Sequence, residues 1–151
     1  MGNDLPGKII GVLLAFVLCV IAPFVTISNQ NEMLDRRMII NHVTDFLDEV
    51  IDSREITDTA LSELNINLAS YGIIVDYEIT RYALSIDPDP VTGDSYTANY
   101  IVMDDNRHYN KGDKISIRVY TVGYSSTQAL AHKLTGMFVK DLDETITVRI
   151  R

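Results

Sequence analysis

The chain begins with a long apolar run that lies close to its N-terminus. Residues Ile9 to Ile27 carry no charge and are nearly all apolar. At about 1.5 Å per residue, a helix over this run is roughly 28 Å long, close to the ~30 Å hydrocarbon core of a bilayer. We therefore predict a transmembrane helix over residues 9–28, with a kink at Pro23, which lacks a backbone N–H.

The second pattern is a helical stripe that follows the apolar run without a Gly or Pro. Apolar residues recur at spacings of three and four up to Arg54, which predicts one buried helix face. That face comprises Ile39, Val43, Phe46 and Val50. We predict an amphipathic stem over residues 29–56 that continues the transmembrane helix as a single helix.

Residues 57–151 carry the patterns of a small mixed domain, the head. Thr57 is a suitable N-cap for a helix that we expect to end at Gly72. Alternation then predicts strands over 73–84, 96–103, 115–122 and 146–150, with a helix over 125–136 before the last strand. Hairpin-length connections favour an α+β fold, a mostly antiparallel sheet packed against helices.

Charge restricts the possible partners. The chain has 151 residues and a net charge of −8, and residues 29–151 retain all of it because the first 28 residues hold one acid and one base. Nucleic acid is excluded as a partner, because binding to phosphates needs clustered Lys and Arg. The single cysteine, Cys19, lies inside the apolar run, so no internal disulfide is expected.

No catalytic pattern is present in the sequence. His42, Asp45 and Glu49 share a helix face but lack matching ligands on a second helix, so no metal site is expected. The acidic loop over residues 87–94 places Gly93 at the seventh position, where a calcium loop of the EF-hand type needs Gly at the sixth. We predict neither an enzyme nor a cofactor, and we identify no small-molecule substrate.

The architecture resembles the type IV pilin superfamily, particularly the pseudopilins and minor pilins of tight-adherence pili. The resemblance rests on Gly7 directly before the apolar run, on Pro23 within it and on the continuous stem. It implies that a membrane peptidase removes a leader within residues 1–8 by cutting between Gly7 and Lys8. Val12 stands where most members carry Glu, as in the divergent accessory subunits.

The resemblance implies a structural subunit of the cell envelope with an extracytoplasmic head. Its partners would be the lipid bilayer and copies of itself or related subunits, packed through the small residues Gly11 and Ala15. Two alternatives remain open. The chain could be a membrane-tethered sensor or protein-binding module, or a soluble protein whose first 28 residues are a cleaved signal.

Overall fold

The computed structural model describes residues 5–88, 96–105, 107–124, 129–130, 133 and 141–151. Its helices are α1 (Leu5–Phe16), α2 (Ala22–Ser53) and α3 (Asp58–Ala69), with a π-helical turn (Val17–Ile21) between the first two. Its strands are β1 (Ile73–Pro88), β2 (Tyr96–Met103), β3 (Lys114–Tyr124) and β4 (Asp143–Arg149). The predicted helix over 125–136 lies largely outside the described residues, of which 129, 130 and 133 are helical.

One long helix runs from Leu5 to Ser53, as predicted for the transmembrane segment and stem together. The helix widens at the π turn, where the N–H of Ala22 bonds to the carbonyl of Val17. Pro23 follows in the first turn of α2, where a missing N–H is tolerated best. The last helical residue is Ser53. Its C-cap, Arg54, has a left-handed backbone conformation (φ 59°), and its N–H bonds to the Val50 carbonyl at 2.8 Å.

Helix α3 starts where the sequence predicts and ends earlier. The Thr57 hydroxyl accepts a hydrogen bond from the Ala60 N–H at 3.1 Å, which satisfies one of the free donors of the first turn. The helix ends at Ala69 with Ser70 as its C-cap, so the prediction that Gly72 follows the last helical turn directly is wrong. Gly72 instead donates its N–H to the Asp35 carboxylate at 3.3 Å.

The four strands form one antiparallel sheet in the order β2-β1-β3-β4. Residues 73–82 of β1 pair with β3, and residues 81–88 of β1 pair with β2. Residues 83–88 of β1 and 96–101 of β2 therefore pair only with each other. These two segments project from the sheet and are called the β-arm below.

The predicted loop over 87–94 starts two residues too early. Asp87 and Pro88 belong to β1 and lie opposite Thr97 and Tyr96. Both residues lie in the projecting β-arm and are exposed, so their side chains meet no buried neighbour that would disfavour acid or proline there. Residues 89–94 of the predicted loop lie outside the described residues.

The core lies between one face of the sheet and the helices α2 and α3. The stem contributes one face of α2, the helix α3 contributes a parallel stripe, and β3 contributes its alternate residues. The fully buried members include Ile39, Leu47, Ile73, Ile115, Ile117, Ile150, Val43, Val50 and Val119. The fold is α+β, as the sequence predicts.

Candidate functional site

The N-terminal half of the long helix contacts nothing else in the described part of the chain. Helix α1 buries no residue, and Val12 and Leu13 expose 71% and 59% of their surface. The helix is long and apolar enough to cross a membrane, and none of its most apolar stretch is buried. A continuous apolar surface of this kind marks a site of membrane or protein contact.

Gly11 and Ala15 lie one helical turn apart on this exposed surface. A Cβ atom built on Gly11 would meet nothing within 4 Å. A Gly in a helix interior destabilises the helix by about 1 kcal/mol relative to Ala. No close contact within the described residues requires the small size of Gly11. Small residues at this spacing allow two apolar helices to approach closely.

The residues expected at the leader cut are helical. Gly7 and Lys8 lie inside α1, and a Cβ atom on Gly7 would also meet nothing within 4 Å. Cleavage between them stays a prediction.

The stem belongs to the core of the head. Ile39, Val43 and Val50 are fully buried and Phe46 is 4% exposed, and all four contact one cluster with the strands. The change from a helix half that buries nothing to a half that forms the core occurs between residues 28 and 39.

Polar contacts fix the N-terminal part of the stem against the head. Asp35 accepts the N–H of Gly72 at 3.3 Å, and Nε2 of His42 lies 2.8 Å from the hydroxyl of Tyr71. Near the same end, Tyr124 donates a hydrogen bond to Asp141, which with partial burial raises the pKa of Tyr124 to about 12. These contacts favour one orientation of the head along the stem.

The histidine that shares a helix face with two carboxylates lies in a cleft beside α3. His42, Asp45 and Glu49 line a cleft between α2 and α3 that Glu63 and Asn67 of α3 complete. Within the described residues, no three His, Cys, Asp or Glu side chains are placed to hold a metal ion together. The hydrogen bond between His42 and Tyr71 accounts for the histidine structurally.

The most buried charges of the described head were not identified from the sequence. Arg81 donates two hydrogen bonds to Oδ2 of Asp113, at 3.1 and 2.8 Å, and the two side chains are 8% and 3% exposed. Asp113 also accepts the N–H groups of Leu84 and Asn110, each at 3.0 Å. The signal was present, because Val75, Tyr77 and Ile79 alternate towards the core and Arg81 is next in that series.

The environment of Asp113 keeps its carboxylate charged. Burial is the largest influence and opposes ionisation, but the N–H groups of Asn110 and Leu84 and the guanidinium of Arg81 together lower the pKa of Asp113. Tyr109 packs beside Arg81, with 5.4 Å between the guanidinium carbon and the ring centroid. Burial raises the pKa of Tyr109 to about 12, so the group is a neutral part of the core.

The β-arm is a second exposed apolar surface that the sequence analysis missed. Ile86, Tyr96 and Ile101 of the arm expose 62%, 74% and 51% of their surface, and the adjoining Val102 exposes 59%. At the base of the arm, Leu84 lines an open cleft of about 1230 Å³ together with Asp52 and Arg54 from the end of the stem. The arm therefore leaves the head at the end opposite the apolar half of the long helix.

Comparison of the chain with known protein families, curated proteins and solved structures gives no significant match. Within the described residues, the exposed helix half and the β-arm both present large apolar surfaces.

Proposed function

We propose that this protein is a membrane-anchored, pilin-like structural subunit whose N-terminal helix assembles with similar helices and whose α+β head is displayed outside the cytoplasm. The observation that carries the proposal is the division of one helix into two halves. The first half buries nothing and is apolar enough to cross a membrane, and the second half forms part of the core of the head.

The anchor follows from the cost of leaving the first half in water. Exposed apolar surface costs about 25 cal/mol per Å² relative to an apolar environment, so a run of some twenty apolar residues needs lipid or other helices around it. A bilayer satisfies this requirement, because the backbone groups of a helix are bonded internally. The polar contacts of Asp35 and His42 then hold the head at a fixed place along the stem.

Assembly through the helix gives Gly11 a role. In lipid, helices associate by close packing, which small residues permit. Because the space around Gly11 is open, a larger side chain at this position meets no other atoms of the described part of the same chain. A substitution there would therefore act on contacts with other helices.

The test compares Gly11→Leu with the matched control Val12→Leu in the cells that produce the protein. We expect Gly11→Leu to lower the amount recovered in sheared surface filaments at least about tenfold, which corresponds to 1.4 kcal/mol. Val12→Leu should leave it unchanged, and both variants should stay in carbonate-washed membranes. Equal recovery of the two variants in filaments, or absence of the native protein from them, would contradict assembly through this surface.

A second measurement separates the anchor from the alternatives. The mass of the mature protein distinguishes an N-terminus at Met1, at Lys8 and at Asn29, which correspond to a retained segment, a removed leader and a cleaved signal. A start at Asn29 would overturn the anchor.

The exposed β-arm favours a second candidate function, a membrane-tethered binding module. Exchange of the apolar segment for an unrelated transmembrane helix distinguishes the two functions. A pilin-like subunit should lose its function after this exchange, whereas a binding module should retain it.

A further inference from the structure

The β-arm has the properties of an unprotected sheet edge. Edge strands in soluble proteins are commonly protected by charged side chains, which discourage pairing with another chain. At the opposite edge, β4 carries Asp143, Glu144 and Arg149 among its seven residues. All eight residues of β2 are uncharged and all are exposed.

The outer edge of β2 is also free along its length within the described structure. Among the described elements, β2 makes an extensive contact only with β1. On its other side, none of the described strands lies next to its backbone groups. Such an edge is a template for adding one further strand.

The area of the arm suits association of two protein surfaces. Its large apolar side chains are Ile86, Tyr96, Tyr100 and Ile101, with Val102 and Met103 adjoining, and they expose between 36% and 74% of their surface. All of them except Ile86 belong to the edge strand β2, and for side chains of roughly 150–250 Å² these five expose on the order of 500 Å². A stable interface buries about 800 Å² on each partner, so the side chains of β2 supply more than half of that area and a backbone ladder adds to it.

We propose that the β-arm is a docking surface for a second copy of this chain, which pairs β2 antiparallel with its own β2 and joins the two sheets into one. A two-fold axis normal to the sheet places residues of the same face opposite each other. Centred on Asn99, the pairing puts Tyr96 opposite Val102 and Ala98 opposite Tyr100 of the second copy.

This register matches the chemistry of the strand. Aromatic residues opposite β-branched residues stabilise antiparallel pairs, and Asn99 lies opposite its own copy, where the two amides can bond to each other. Centring the pair on Tyr100 would instead put the Asn99 amide opposite Ile101, which offers it no hydrogen bond, whereas the register centred on Asn99 puts the β-branched Thr97 opposite Ile101. The uncharged strand also lets two chains of net charge −8 meet without placing like charges opposite each other.

The symmetry has a consequence for the anchors. The two-fold axis reverses every direction within the sheet, so the two long helices run antiparallel on the same face of the joined sheet. The arm lies at the end of each head away from its apolar helix half. The contact therefore joins heads displayed on two facing surfaces, which goes beyond the proposed assembly through helices within one membrane.

Cysteine crosslinking of the full chain tests this geometry. Cys19 is the single cysteine, so Cys19→Ser provides a background without thiols. Residues opposite each other in an antiparallel pair have Cα atoms about 4.5–5.5 Å apart, which suits a disulfide. The variant Asn99→Cys is compared with Thr145→Cys on the opposite edge, each with one chain per lipid nanodisc so that the helices cannot meet.

We expect disulfide-linked pairs of discs to form at least about tenfold faster with Asn99→Cys than with Thr145→Cys under mild oxidation, a ratio equal to about 1.4 kcal/mol. A mixture of Thr97→Cys and Ile101→Cys discs should crosslink, whereas Thr97→Cys alone should not. Equal rates at Asn99 and Thr145, or no crosslink in the mixture, would overturn the proposal.

A charge on the strand provides the second readout. Ala98→Arg should suppress the Asn99→Cys crosslink, because the two arginines then lie diagonally opposite each other on one face of the pair, about 7–8 Å apart, where like charges destabilise pairing. Val122→Arg is the matched control, since Ala98 and Val122 are both exposed strand residues. Suppression by both variants, or by neither, would contradict arm-to-arm pairing. Separate discs exclude helix contacts, so this outcome is independent of the proposed assembly in the membrane.

Discussion

Replacing Asp113 by Asn should destabilise the head more than any comparable change at its surface. The substitution leaves the Arg81 guanidinium buried, with its two hydrogen bonds to the carboxylate replaced by a neutral acceptor. Breaking a buried ion pair by removing one partner costs about 3–5 kcal/mol, because an uncompensated charge stays in the core. Asp143→Asn removes the partner of Arg118 in a pair whose side chains are about half exposed. Such an exposed pair contributes little to stability, because water and salt screen the two charges.

Urea unfolding of the full chain in detergent micelles measures this difference through the fluorescence of its eight tyrosines, since the chain has no tryptophan. A double-mutant cycle with Arg81→Met isolates the coupling, which we expect to be about 2 kcal/mol or more for a buried, doubly bonded pair. A loss of unfolding free energy for Asp113→Asn no larger than that for Asp143→Asn would refute the argument that burial sets the magnitude.

Three further predictions concern the head. The fold lowers the pKa of Asp113 from its ordinary 3.8, so the carboxylate stabilises the fold above that pH and loses this effect as the pH falls through the lowered pKa. The urea midpoint should therefore drop in acid, and it should drop less steeply for Asp113→Asn. Thr57→Ala should cost about 1 kcal/mol in the same assay through loss of the N-cap, whereas Thr57→Ser should cost little. Ile117→Ala, at a fully buried position, should cost about 2–5 kcal/mol, and Ile74→Ala, at a position 57% exposed, should cost much less; similar losses would contradict the assigned core.

Periodicity predicted the helices and strands that the structure describes, but not their pairing or the full length of β1. The spacing of three and four placed Ile39, Val43, Phe46 and Val50 on one helix face, and alternation located β2 over residues 96–103. Both patterns indicate which face of a helix or strand is apolar. They carry no information on how far one strand is offset from the next, which depends on contacts between distant residues.

The β-arm illustrates this limit. In sequence, β2 and β3 are similar strands of apolar and polar residues. In the fold, β3 lies beside the first part of β1 and is covered by helices, whereas β2 lies beside the second part and is exposed throughout. The difference arises because β1 has 16 residues and extends beyond Tyr82, which lies opposite Lys114, the first residue of β3. Nothing in the alternation of β1 marks Tyr82 as the last residue that pairs with β3.

The Arg81–Asp113 ion pair lies at the point where the sheet divides. Arg81 and Tyr82 are the residues of β1 that pair with both β2 and β3. Asp113 precedes β3 and binds both the Arg81 side chain and the N–H of Leu84, the second residue of the arm, while Arg81 also donates to the Asp105 carbonyl beyond β2. One pair of charges thus connects the middle of β1 with the segments next to the ends of β2 and β3. The packing of the sheet against the helices ends at this point. Beyond it, charge-assisted hydrogen bonds, rather than apolar contacts, fix the direction of the arm.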